Sequence, residues 1–175
     1  SKEPVLALAV RAEGHPDNVA AAMFGGLTIS CGTPEGVVAV AVPVPVNLAW
    51  VVLVPEVTSS TAEARALLPP SVPRADAIFN VQRVALLLAS LQMGRPAPLA
   101  TALDDRLHQP YRLKLFPWLP AVAAAARAAG APGCGLSGAG PSLLALGAGV
   151  GRAGARAMAA APRQAGRFGR AAGAA

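Results

Sequence analysis

Gly25-Gly26-Leu27-Thr28-Ile29-Ser30-Cys31 is the stretch at which the chain changes its period. Before it, Leu6 to Ala12 is free of Gly and Pro and is closed by Gly14, which predicts a helix. A second helix is predicted from Pro16, because Pro suits a first helical turn and Asp17 complements its positive end. It runs through Val19-Ala20-Ala21-Ala22-Met23 and stops at the glycine pair. After the pair, Leu27 to Cys31, Val37 to Val42 and Leu48 to Val54 are β-branched runs separated by turn residues, and read as three strands.

Helices then dominate. Thr61 caps a short one through Leu67. Arg74 to Met93 places Ala77, Ile78, Val81, Val84, Ala85 and Leu88 on one face, which is expected to be buried. Trp118 to Ala129 is another helix, ended by Gly130. Gly133 to Gly140 reads as a glycine-rich turn and Leu143 to Leu146 as a short strand. Strands and helices in this mixed order predict an α+β domain, with helices packed on an antiparallel sheet.

Composition permits such a core, since 54% of the residues are hydrophobic and only 14% charged. A chain of 175 residues fits one domain or the larger part of a two-domain enzyme. The net charge of +6 is local: ten Lys or Arg face nine Asp or Glu up to residue 150, and the five further Arg lie beyond it with no acid. Those last 25 residues hold eleven Ala and five Gly, with Phe168 as their single aromatic. Charge in a low-complexity tail is not an organised nucleic-acid face, so no nucleic-acid partner is expected. Beyond a possible helix at Gly151–Ala161 the tail is expected to be dispensable.

Cys31 and Cys134 are far apart in sequence and read as two buried thiols; with His15 and His108 they offer no metal spacing. The apolar run Val5 to Val10 is too short for an export segment and is followed by Arg11 and Glu13. Val37–Val54 is broken by Pro43, Pro45 and Asn47, so it reads as strands and not as a membrane span. A cytoplasmic protein is expected, and Ser1 in place of Met suggests a natural start elsewhere.

Three segments stand above this background. Glu13-Gly14-His15-Pro16-Asp17-Asn18 puts four polar side chains before an apolar helix, either as a capping turn or as an anion-facing helix start. Asp104-Asp105-Arg106-Leu107-His108-Gln109-Pro110-Tyr111-Arg112 is surface charge between helices, or a carboxylate clamp built on Arg112, whose guanidinium suits bidentate recognition. Leu136-Ser137-Gly138-Ala139-Gly140-Pro141-Ser142 is an ordinary strand connection, or a turn whose glycines bring main-chain N–H groups close to a ligand.

Taken together and in this order, the three resemble the homoserine kinases of the GHMP superfamily. The run from Val54-Pro55 through Thr61 to Arg65 and Leu68-Pro69 is a fourth match, and the resemblance spans about residues 3–147. It implies a GHMP kinase C-terminal domain over residues 27–150, a ferredoxin-like antiparallel sheet with helices. Residues 1–26 would then be the last helices of the N-terminal domain, and 151–175 the low-complexity tail.

The resemblance also implies ATP and Mg2+ as cofactors, L-homoserine as substrate, O-phospho-L-homoserine as product, and a homodimer. His15 and Asn18 match positions lining the homoserine pocket. Asn18 stands where related kinases place a catalytic Asp, so positioning and charge stabilisation would replace a strong base. Arg112 matches the arginine that holds the homoserine carboxylate. Arg65 matches the one near the hydroxyl and the transferred phosphoryl, and Ser137, Gly138 and Gly140 match the turn that closes beside them. The family's phosphate loop, Pro-x-x-x-Gly-Leu-Gly-Ser-Ser-Ala, has no counterpart among these residues, so they are expected to be inactive alone. The alternatives are a GHMP kinase for another alcohol, such as mevalonate, or a non-catalytic remnant that binds or dimerises.

Overall fold

The computed structural model describes residues 3–44, 48–57, 59–147, 150–161 and 171–173. They group into two compact units, Ser1–Val46 and Asn47–Ala175. In the first, helix α1 (Glu3–Glu13) is followed by α2 (Pro16–Phe24), with Pro16 in its first turn and Gly25 closing it at φ 72°. Strands β1 (Leu27–Thr33) and β2 (Gly36–Val42) then form an antiparallel hairpin, from Leu27 opposite Val42 to Thr33 opposite Gly36. Leu6 and Ala20 are buried within this unit.

The hairpin residues 27–42 group with the first two helices in the unit Ser1–Val46. Their ladder is a separate two-stranded sheet and does not continue into the third predicted strand. Cys31 is consequently exposed, against the expectation of two buried thiols, whereas Cys134 is buried. Burial in an apolar setting pushes the Cys134 thiol up to about 11, with Arg127 opposing.

The second unit opens with β3 (Ala49–Leu53) and continues through α3 (Thr61–Ala66), α4 (Arg74–Gln92), α5 (Leu99–Ala102), α6 (Gln109–Arg112) and α7 (Leu119–Ala128). It ends with β4 (Gly133–Leu136), β5 (Leu143–Gly147), α8 (Gly151–Ala160) and β6 (Ala171–Gly173). The sheet order is β4-β5-β3-β6, antiparallel throughout. A strand, a helical excursion, two strands, a helix and a last strand in this order form the ferredoxin-like arrangement. The α+β expectation holds.

Alternation along β3 turns Val51 and Leu53 inward, where they meet Leu143 and Ala145 of β5 and Val122 and Ala126 of α7. Each such Val or Leu contributes about 1.5–3 kcal/mol of burial. Val150 and Met158 of the α8 region complete the cluster. Its start at Phe116 and Trp118, with ring centroids 5.6 Å apart, ties the end of the helical excursion to the sheet.

Helix α4 behaves differently from its periodicity. Val81 is 69% and Val84 56% exposed, and the residues it buries are Ser90 and Leu91. The pattern predicts an apolar face correctly, but the described residues of this unit do not cover it. Ser90 enters the interior with its hydroxyl donating to the Leu86 carbonyl at 2.6 Å.

The tail is also more than low complexity. Its predicted helix exists as α8 and buries Met158. Further on, Ala171, Ala172 and Gly173 pair with Leu53, Val52 and Val51. Residues 162–170, Phe168 among them, lie outside the described residues. Deleting residues 171–175 is therefore expected to strip β3 of its partner on one edge and to cost about 1 kcal/mol. Hydrogen exchange at Val51–Leu53 checks this, and unchanged protection there would refute it.

Candidate functional site

The 104–112 segment folds around one carboxylate. Asp105 accepts from Asn80 Nδ2 of α4 at 2.6 Å and from the Leu107 N–H at 2.9 Å through Oδ1. Its other oxygen accepts from the His108 N–H at 2.9 Å and from the Gln109 N–H. Burial by itself would raise this carboxyl, but the hydrogen bonds from Asn80, Gln109, Leu107 and His108 outweigh it and hold the group below the usual carboxylate range. Asn80 also accepts from the Arg106 N–H at 3.0 Å, so α4 grips the loop from both ends of its amide.

This gripped loop sets the direction of α6 and, with it, Arg112. The Arg112 side chain is buried to 1% exposure. Its Nε donates to His108 Nε2 at 3.1 Å, and its Nη1 is buried without a hydrogen-bond partner. Burial, and then the charge of Arg65, lower its affinity for its proton. The exposed Arg65, on α3 behind the Ser60 cap that accepts from the Glu63 N–H at 3.0 Å, thus lies close enough to act on Arg112. A second positive charge thus acts on a buried guanidinium that has a donor to spare. An anion suits that arrangement.

Gln109 carries the same order to the glycine-rich turn. Its Nε2 donates to the Leu103 carbonyl at 3.2 Å, and its Oε1 accepts from the Leu136 N–H at 3.1 Å. The turn itself is closed by Ser137 N–H on the Ser142 carbonyl at 2.8 Å and Gly140 N–H on the Ser137 carbonyl at 3.2 Å. Ser137 and Gly138 are exposed at its tip. Gly140 has φ 86°, and a Cβ there would stand 2.5 Å from Cε2 of the buried Phe116. Gly140→Ala is therefore expected to cost about 2 kcal/mol, from the left-handed backbone and the displaced ring together. A urea unfolding midpoint equal to that of the parent would contradict it.

His15 and Asn18 lie in the other unit. His15 is the residue before α2, with an extended backbone and no capping bond from its side chain. Asn18 is exposed in the first turn, its N–H donating to Asp17 Oδ1 at 2.8 Å. Within the second unit, the charge of Arg65 acts on Arg112, and Gln109 connects the Arg112 helix to the Ser137–Gly140 turn. Sequence reasoning missed Asn80, Asp105, His108 and Gln109. An Asp four residues ahead of a Pro-containing helix start was a local signal for the Asp105 turn; Asn80, 25 residues away, had none.

The family model described as "GHMP kinases C terminal" matches residues 86–165. A homoserine kinase of Microchaete diplosiphon is 49% identical over 146 residues, which cover 83% of this chain and 48% of that protein. The chain belongs to the homoserine kinases of the GHMP superfamily. It spans about half the length of the curated homoserine kinases it matches. The crystal structure of a homoserine kinase from Cytophaga hutchinsonii superposes with a TM-score of 0.86 at 30% identity, over 95% of this chain and 54% of that one. A mevalonate kinase of L. major in complex with R-mevalonate shares the fold, at a TM-score of 0.63 and 19% identity over 94% of this chain and 54% of that one. Within the homoserine kinase family, the segment that carries Arg112 and the turn at Ser137 both fall inside the matched C-terminal region.

Proposed function

We propose that these residues form the carboxylate-binding side of an enzyme that transfers the γ-phosphoryl group of ATP to the side-chain hydroxyl of L-homoserine, in the cytoplasm and toward threonine biosynthesis. The observation that carries the reading is Arg112, a buried guanidinium with an unpartnered Nη1 beside a second arginine. Such a group is unfavourable to fold around unless an anion completes it. The homoserine carboxylate completes it with two parallel N–H···O contacts.

The remaining roles follow from charge and position. Arg65, exposed and cationic, offsets the negative charge that grows on the transferred phosphoryl group. Ser137, Gly138 and Gly140 supply a turn that closes over the same end. His15 and Asn18 orient the substrate. An amide at residue 18 cannot take a proton at neutral pH, so the hydroxyl is positioned and not deprotonated by that side chain. ATP brings Mg2+, whose ligands are mostly phosphate oxygens and water with one or two carboxylates. Among the described residues no group of three His, Cys, Asp or Glu could hold a metal, and no step here depends on one. No described helix is long and apolar enough to cross a membrane.

The test is ADP release by a full-length polypeptide that carries these residues together with the phosphate loop, offered homoserine, mevalonate, serine or threonine. Homoserine-dependent turnover with a phosphomonoester signal in 31P NMR is expected. Turnover on mevalonate with none on homoserine would overturn the reading.

A further inference from the structure

Arg112 keeps its proton under all ordinary conditions, so its Nε is always a donor. The atom it meets, Nε2 of His108 at 3.1 Å, must therefore present a lone pair, which puts the imidazole in its neutral form with the proton on Nδ1. The backbone that carries the ring is held in place. The backbone N–H groups of His108 and Gln109 are both held by the Asp105 carboxylate, itself held by Asn80 of the long helix α4. Four residues further on, at the end of α6, Arg112 donates back to the ring nitrogen.

We propose that His108 is the positioning residue of the carboxylate site: its neutral ring occupies the Nε edge of Arg112 and leaves the Nη1 edge to face the substrate. The proposal rests on the reading of Arg112 as the homoserine carboxylate clamp. It also makes that clamp sensitive to acid. A proton added to Nε2 would set donor against donor and cation against cation at a site already pressed by Arg65. The charged groups acting on the ring are Arg112, which disfavours that proton, and Asp105, which favours it. Burial acts first and in the same direction as Arg112, so the imidazole lies below its ordinary value and is neutral around pH 7. The folded site is thus intact above the ordinary imidazole range and is lost as pH falls through the lower value of the folded protein.

The test uses steady-state kinetics on the full-length enzyme from about pH 8 down to about pH 5.5, a range in which the substrate carboxylate stays ionised. In the parent, KM for homoserine is expected to climb toward the acid end while KM for ATP stays level. His108→Gln keeps an acceptor for Nε and cannot titrate, so its homoserine KM should stay near the parental value and be flat with pH. His108→Ala should raise that KM on the order of 10- to 100-fold at about pH 8, the scale of a misplaced binding group. A parental KM in His108→Ala, or the parental acid limb retained in His108→Gln, overturns the proposal. Long-range 1H–15N spectra of the imidazole, taken without substrate, separate the two ways of failing. A ring whose tautomer ignores Arg112→Met means that the contact itself is absent. A ring that responds to Arg112→Met, combined with an indifferent KM, means that the carboxylate binds elsewhere and the functional reading is at fault.

Discussion

Arg112→Ala in the full-length enzyme is expected to raise KM for homoserine by at least about thirtyfold, the lower end of the 2–5 kcal/mol associated with losing one partner of a buried charge pair. The size follows from where the group is. At 1% exposure it has shed its water; His108 satisfies its Nε, and its Nη1 is left for the proposed substrate carboxylate. Stability should move the opposite way or hardly at all. Folding must bury this cation next to Arg65, and an apolar side chain of similar length removes that burden. Arg112→Met is thus expected to melt no lower than the parent while binding homoserine far more weakly, the pattern of a group kept for binding at the expense of stability. Arg112→Lys should fall between, since an ammonium supplies charge without the two-pronged geometry. An unchanged homoserine KM in Arg112→Ala would remove this residue from the site.

Asp105→Ala should be the most disruptive single change in the loop. It deprives the Leu107, His108 and Gln109 N–H groups and the Asn80 amide of one shared acceptor. An acceptor cap of this kind is worth about 1 kcal/mol alone, and partly buried donors left unmet add to it, giving about 3 kcal/mol in total and a melting point lowered by roughly 10 °C. Asp105→Asn should recover little, because its amide turns one pair of donors toward another. The carboxyl lies below its ordinary value, so its contribution is complete above the usual carboxylate range and fades as pH falls through the lower folded value. Parent and Asp105→Ala stabilities should accordingly converge in strong acid. A gap that persists unchanged under those conditions would show that the carboxylate charge plays no part.

How much of this was legible in the sequence depends on whether the deciding contact was local. Helices α1, α2 and α7 end where Gly14, Gly25 and Ala129 next to Gly130 predict, because a helix end is set within one turn. Strand β4 was hidden for a reason visible at Gly133 and Gly135. Glycine argues against a strand, yet a Cβ at 133 would strike the Leu103 side chain and one at 135 would press on Gln109. The strand needs small residues because helices α5 and α6 lie against it, and no local pattern reveals that. The apolar stripe of α4 failed in the opposite sense: Ile78, Val81 and Val84 have the right spacing for burial and are exposed. Of the residues proposed for the site, Arg112 and the glycine-rich turn were suggested by their own chemistry, whereas the roles of Arg65, His15 and Asn18 came only from resemblance to a family. The Asn80–Asp105–His108 chain that steadies Arg112 joins positions whose pairing no spacing rule encodes.

The seating of β3 between β5 and β6 has a consequence for how the polypeptide is made. Leu53 finds its first neighbour at Leu143 and its second at Ala171, roughly ninety and well over a hundred residues later. At ribosomal rates of about 5–20 residues per second, both edges of that strand stay open for several seconds after it emerges. The helices between can form in the meantime from nearby contacts, but the sheet cannot close on their account. The growing chain thus carries an apolar, unpaired Trp50-Val51-Val52-Leu53 until β5 emerges, and holding chaperones would find it there.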